Sequence, residues 1–261
     1  PTAIVEIVDQ LYARGRRVVM LQAGEIRSQK FVRTVTEASA GIKAKHPDLD
    51  LILCVGSLPR AAYAGFRAAG ADRFILKFEA SRPTLYQQIK PSETIEARLR
   101  CLDDLVDLGF DVGTGNITGL PGQVAEDLVD DLLLLHARAA NLTMGSTALF
   151  IPSPGSVYEA EAMGDVDDAL NFTALLRVLG PHLLIPSTSS LERPRPGGQL
   201  QGLLAGANTV TVHDGTPDEN REQFPIYSSQ RYTPSEERLY AAVAQAGLSL
   251  PLSASPSSDA R

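Results

Sequence analysis

Cysteine is almost missing from this chain: Cys54 and Cys101 are the only two in 261 residues. That count excludes a disulfide scaffold. Because both lie in regularly patterned apolar segments, the expectation for each is a buried free thiol. Long apolar runs are missing as well. None approaches the ~20 residues a membrane span requires, and no signal-peptide pattern opens the chain. Segregated charge is absent too. The formal net charge is −7, but acidic and basic residues are interspersed, so there is no basic footprint of the kind nucleic acid demands. His46, His136 and His182 have no ligand-like spacing, and no metal site built from them is expected. These absences point to a soluble protein of the reducing cytoplasm with neither nucleic acid nor membrane as partner.

What is present suits one compact domain over residues 1–250, since 44% of the chain is hydrophobic and no linker divides it. The remaining 251–261 is polar and Pro/Ser-rich, the composition of a disordered tail. Residue 1 is Pro rather than Met. Either the natural beginning lies upstream or an initiator Met was removed.

Apolar spacing alternates between strand-like runs and helical stretches. The pattern predicts helices over 3–14, 31–45, 60–69, 94–108, 124–140, 166–179, 200–205 and 235–246. Between them it predicts strands over 17–22, 51–55, 73–78, 111–117, 143–150, 183–187 and 209–212. The 124–140 helix is expected to carry its charges outward, with Asp130 and Asp131, like Asp103 and Asp104, solvated. Such alternation implies parallel strands with crossover helices. A (β/α)8 barrel has eight strands, each followed by its helix. Seven strands preceded by an orphan helix match a TIM-type barrel lacking its first strand. An open doubly wound sheet is the alternative.

Barrel sites lie at the carboxyl ends of the strands, which directs attention to a few segments. The first strand ends in Gln22-Ala23-Gly24-Glu25. The third ends in Lys77-Phe78-Glu79, where strand alternation puts Lys77 and Glu79 on one face. The fourth runs into Gly113, Gly115 and Gly119, spaced unlike a dinucleotide fingerprint, and reads as a strand end that lets a ligand approach backbone closely. The sixth leads to Thr188 and Ser189, and the seventh to His213-Asp214. These patterns alone stop at a barrel enzyme for a polar small molecule. They leave open a class I aldolase with Lys77 as Schiff-base lysine, and a ligand-binding barrel without catalysis.

Taken in order, Phe78-Glu-Ala-Ser-Arg-Pro, Arg98-Leu-Arg-Cys-Leu, Leu108-Gly-Phe and Gly113-x-Gly-x-x-x-Gly-Leu-Pro-Gly-Gln123 resemble the biotin-synthase-like group of radical S-adenosylmethionine enzymes. Within it the likeness is greatest to the [FeFe]-hydrogenase maturase and methylornithine synthase branch, and it extends through Phe150-Ile-Pro-Ser-Pro, Pro186-Ser-Thr and Ala205-Gly-Ala-Asn. The resemblance implies two cofactors, S-adenosyl-L-methionine and a [4Fe–4S] cluster. It implies that Gln22, Gly24 and Glu25 hold the methionyl amino group and that Glu79 contacts the cofactor near its ribose or methionyl part. Arg98 would pair with the cofactor carboxylate, which a planar guanidinium can bond bidentately. Gly119, Leu120 and Pro121 would lie beside the adenine, and Lys77, Thr188, Ser189 and His213 would face a small-molecule substrate. A ferredoxin- or flavodoxin-like reductant is the implied partner.

The departures from that group matter equally. Its CxxxCxxC loop, which follows the first strand, has no counterpart here, and two distant cysteines cannot replace three thiolates from one loop. One segment lost upstream accounts for both the missing strand and the missing thiolates, and the chain as written is expected to be inactive. Gly113 stands where biotin synthases carry a cysteine for a second cluster, which speaks against biotin synthesis. The loop from His213 to Tyr232 matches poorly, so the substrate is not legible.

Overall fold

The order of elements follows the predicted alternation, with one helix added. The computed structural model describes residues 1–213, 215 and 234–250. Asp214, most of the 213–232 loop and the 251–261 tail lie outside the described residues. The chain runs α1 (Thr2–Ala13), β1 (Val18–Gln22), α2 (Gln29–Lys45), β2 (Asp50–Cys54), α3 (Arg60–Ala68), β3 (Arg73–Ile75), α4 (Pro83–Ile89), α5 (Ile95–Asp107) and β4 (Asp111–Thr118). It continues with α6 (Ala125–Arg138), β5 (Met144–Leu149), α7 (Val166–Leu179), α8 (Gly198–Leu204) and, after the undescribed stretch, α9 (Glu236–Gln245). The unpredicted helix is α4. Pro83 supplies its first turn, where a missing N–H costs nothing.

Local chemistry explains the helix ends. Ser28 caps α2 by accepting from Phe31 N at 3.2 Å, and Lys43 and Lys45 face the negative end of its dipole. Asp165 caps α7, whose first turn carries Asp167 and Asp168 and whose last carries Arg177. In α6 Glu126 and Asp130 face outward as expected, but two other acids do not. Asp127, Asp131, Leu132 and Leu135 are buried while Val129 and Leu133 are exposed, so two acids lead the inward stripe.

Hydrogen-bonded strand order is β1-β2-β3-β4-β5, and the pairings of β1 with β2, β2 with β3 and β3 with β4 are parallel, from Val18 opposite Asp50 to Ile75 opposite Gly113. The predicted sixth and seventh strands are reduced to single parallel bridges, Met144 with Leu184 and Pro186 with Thr209, and these continue the same order. A doubly wound sheet reverses its order at a switch point. Here the order never reverses.

The chain divides into two compact units. The first takes Pro1–Leu76 and Glu96–Gly113, the second Lys77–Ile95 and Thr114–Ser249. In the first, Leu51, Leu53, Tyr63, Phe66 and Phe74 are fully buried, and Phe74 meets Tyr63 and Phe110 edge-on at ring separations of 5.1 and 5.8 Å. In the second, Leu149, Val166, Ala169 and Leu191 form one apolar cluster, and Ala80, Leu85, Leu120 and Phe150 another. No helix among the described residues is long and apolar enough to cross a membrane.

Candidate functional site

Within the first unit, the carboxyl ends of β1 and β2 carry a buried charge cluster. The ladder extends one step past β1, where Ala23 N donates to Cys54 O at 3.1 Å, and the chain then turns through Gly24 to Glu25. Arg98, in the first turn of α5, is 2% exposed. Its Nη2 donates to Glu25 Oε1 at 2.9 Å and its Nη1 to Ser57 Oγ at 2.7 Å. Gln22 and Gly24 stand exposed beside this cluster in sequence, and a side chain at Gly24 would meet nothing within 4 Å.

The loop that follows β2 is shaped to receive Glu25. Gly56 has φ +83°, and a Cβ there would fall 2.5 Å from Glu25 Cγ, so both the backbone and the space require glycine. Tyr63, fully buried on α3, holds the loop from below: Leu58 N donates to its hydroxyl at 2.8 Å, and the hydroxyl donates to Gly56 O at 3.3 Å. Burial pushes the Tyr63 phenol far above its ordinary range. Cys101 on α5 donates to Leu58 O at 3.7 Å. Both cysteines are free but half-buried, not buried as expected.

In the second unit, Lys77 and Glu79 do come together, at 2.9 Å, but not by strand alternation. β3 ends at Ile75. Ala80 N donates to Phe78 O at 2.8 Å, closing a three-residue turn around Glu79, whose φ of +67° is the only positive value at a non-glycine among the described residues. Such a turn is rare for an L residue and costs on the order of 1 kcal/mol or more. Backbone bonds to β4 brace it: Glu79 N donates to Gly115 O at 3.0 Å, and Ile117 N to Glu79 O at 2.8 Å. The Lys77 ammonium meets Glu79 at its buried Oε2.

Asp131, expected in solvent, is 0% exposed. Its two oxygens accept from Ser81 N at 2.7 Å and from Asn116 Nδ2 at 2.8 Å. Burial raises its carboxyl above the usual range, and the two donors pull the other way. Asp104, also expected in solvent, is partly covered and accepts from Arg60 Nη1 at 2.7 Å.

The glycine-rich stretch is occupied by protein. A Cβ at Gly115 would lie 2.0 Å from Ser146 O, and one at Gly119 would lie 2.2 Å from Gly164 Cα. Neighbouring backbone, rather than a ligand, takes the room that these two glycines leave. Gln123 then organises the turn: its Oε1 accepts from Gly119 N at 2.6 Å and Leu120 N at 3.2 Å, and its Nε2 donates to Ile117 O at 2.9 Å. Leu120 packs in the core, while Pro121 is partly exposed. Thr188 Oγ1 shares a hydrogen bond with Ser190 Oγ at 2.8 Å, Ser189 is buried, and His213 is half-buried.

Sequence reasoning passed over Gly56, Ser57 and Tyr63, quoted Gln123 only as the end of a motif, and placed Asp131 in solvent. The strand-end rule reaches Gly56-Ser57, which follow β2 directly. Nothing in the local pattern marks Asp131, which acts on segments 15 and 50 positions from it, or Tyr63, whose hydroxyl folds back on the loop before its own helix.

The profile of the radical SAM superfamily matches residues 1–135. The chain belongs to the radical SAM superfamily. It is 34% identical over 227 residues to the [FeFe] hydrogenase maturase subunit HydE of Thermotoga maritima, covering 87% of this chain and 64% of that protein. It is 26% identical over 209 residues to biotin synthase 2 of Frankia casuarinae, covering 80% and 56%. This radical SAM chain thus spans less than two thirds of the length of both relatives. Its fold is that of methylornithine synthase (PylB), with a TM-score of 0.69 at 21% identity over 92% of this chain and 75% of that one. It is equally that of the [FeFe]-hydrogenase maturase HydG, with 0.75 at 16% over 94% and 56%. Both likenesses agree with the parallel α/β class expected from the alternation.

Proposed function

We propose that the protein carrying this chain is a radical SAM enzyme of the hydrogenase-maturase-like type, acting on a small substrate with an external reductant, and that these residues hold its S-adenosylmethionine. S-adenosylmethionine together with a [4Fe–4S] cluster would supply the radical chemistry that takes hydrogen from a substrate. The cluster itself does not fit the residues present. Cys54 and Cys101 are the only thiols, and no group of three His, Cys, Asp or Glu among the described residues could hold a metal.

The amino-acid end of the cofactor does fit. It carries one ammonium and one carboxylate, and Glu25 with Arg98 offers one charge of each sign 2.9 Å apart. The pair is the observation that carries the reading: Arg98 can turn a planar donor face to a carboxylate while Glu25 accepts from an ammonium, so the cofactor replaces one ion pair by two. Ser57 and Tyr63 keep the guanidinium and its loop in place before the ligand arrives. Exposed Gln22 and Gly24 leave backbone accessible next to Glu25. Glu79, held in its braced turn beside Lys77, is the second acid assigned to the cofactor. Gly119, Leu120 and Pro121 are assigned to its adenine, and Lys77, Thr188, Ser189 and His213 to the substrate. A Schiff-base role for Lys77 is disfavoured by its ion pair with Glu79.

The test is 5′-deoxyadenosine release by the full-length, anaerobically reconstituted protein under a strong reductant, alongside calorimetric titration with S-adenosylmethionine. Release that falls with Arg98→Ala in step with weakened binding is expected. Unchanged binding in Arg98→Ala would overturn the assignment.

A further inference from the structure

Glu79 is held in a backbone shape that its own side chain does not favour, and the bonds that hold it have a single side-chain author. The γ-turn at Phe78-Glu79-Ala80 is braced on one side by β4, through Gly115 O and Ile117 N. The next residue along, Ser81, gives its N–H to Asp131 Oδ1, and Asn116, which pairs with Glu79 in the ladder, gives Nδ2 to Asp131 Oδ2. One carboxylate on α6 therefore grips both the segment that leaves Glu79 and the strand that Glu79 lies against. Both partners are donors. Only a group that accepts at both oxygens satisfies them, since an amide or a protonated acid sets a donor against a donor. Asp127, one turn earlier on the same helix, serves a different purpose: it accepts from Val124 N at 2.8 Å and pairs with Arg82.

We propose that Asp131 is a positioning residue for Glu79: its buried carboxylate, by binding Ser81 N and Asn116 Nδ2 together, keeps the strained turn that aims Glu79 at the cofactor. The inference rests on the reading of Glu79 as a cofactor contact, and the experiment separates the two. It is a double-mutant cycle on S-adenosylmethionine affinity in the full-length, cluster-loaded protein, using Glu79→Gln, Asp131→Asn and the double variant. Each single change is expected to weaken binding roughly tenfold, and the double is expected to be no weaker than Glu79→Gln alone, because residues acting through one another are non-additive. An Asp131 that merely stabilises the fold would leave affinity unchanged or add its loss to that of Glu79→Gln, and either result overturns the proposal. Full affinity in Glu79→Gln would instead remove the reading of Glu79 and this inference with it. If Asp131→Asn does not fold, Asn116→Ala, which deletes one donor and keeps the carboxylate on Ser81, takes its place in the cycle.

Discussion

Arg98 Nη2 and Glu25 Oε1 meet at 2.9 Å although 73 positions separate them, and the guanidinium side chain is far less exposed, 2% against 27% for the carboxylate. The pair is thus unequal: water reaches Glu25 and hardly reaches Arg98. Removing Glu25 takes a counter-charge from a group that solvent cannot compensate, whereas removing Arg98 leaves a carboxylate that solvent can. Glu25→Ala is expected to cost about 3 kcal/mol of folding stability. Arg98→Met, which keeps the volume, should cost about 1–2 kcal/mol. Urea unfolding of both variants checks the order, and the reverse order would contradict it.

Gly56→Ala tests how the loop receives Glu25. The substitution needs φ near +83° at an alanine and puts a methyl 2.5 Å from Glu25 Cγ. Backbone strain alone is worth about 1–2 kcal/mol, and Glu25 must also shift. Lower stability together with weaker S-adenosylmethionine binding is expected. Lower stability with intact binding would show that the position of Glu25 tolerates the displacement.

Tyr63 predicts a pH dependence. Its phenol is raised well above the usual value of about 10 by burial, so the folded state favours the neutral form more than the unfolded state does. The stability this confers is fully present below pH ~10 and is lost as pH rises above that point towards the folded value. Tyr63→Phe removes the acceptor for Leu58 N and the donor to Gly56 O, for about 1–3 kcal/mol. Alkaline unfolding followed by tyrosinate absorbance should show phenol that ionises only with the loss of structure, and that amplitude should fall by one tyrosine in Tyr63→Phe.

Gln123→Glu isolates the turn at Gly119. A carboxylate still accepts from Gly119 N and Leu120 N, but it has no donor for Ile117 O. The expected cost is about 1–3 kcal/mol, the penalty of opposing an acceptor to an acceptor. Gln123→Ala loses all three bonds, so hydrogen exchange at the Gly119 and Leu120 amides should accelerate more there than in Gln123→Glu.

The order of elements was written in the pattern of apolar residues, because a parallel strand buried on both faces and an amphipathic helix differ in period. Helix α7 starts and ends where its cap and apolar stripe say, and β1, β2 and β4 lie within a residue or so of their apolar runs. The motifs likewise named Glu25, Arg98 and Glu79 individually. What they could not name was what each residue touches. The motif gave Arg98 only a cofactor carboxylate to pair with, by resemblance, and it is the packing of α5 against the loops after β1 and β2 that buries it against Glu25 and Ser57. Asp131 reads as a solvated acid on a charged helix. Its burial was decided by two donors, Ser81 N and Asn116 Nδ2, that lie 50 and 15 positions away and that no local period can reveal. The strand at Arg73 stopped at Ile75 for a similar reason: the turn at Glu79, closed locally by Ala80 N on Phe78 O, is braced by Gly115 and Ile117, which lie far from it in sequence. Periodicity, then, determined the elements and their succession. Tertiary structure decided the partners, since a hydrogen bond or ion pair depends on distance in space, and the chain brings distant residues together only after its apolar faces have packed.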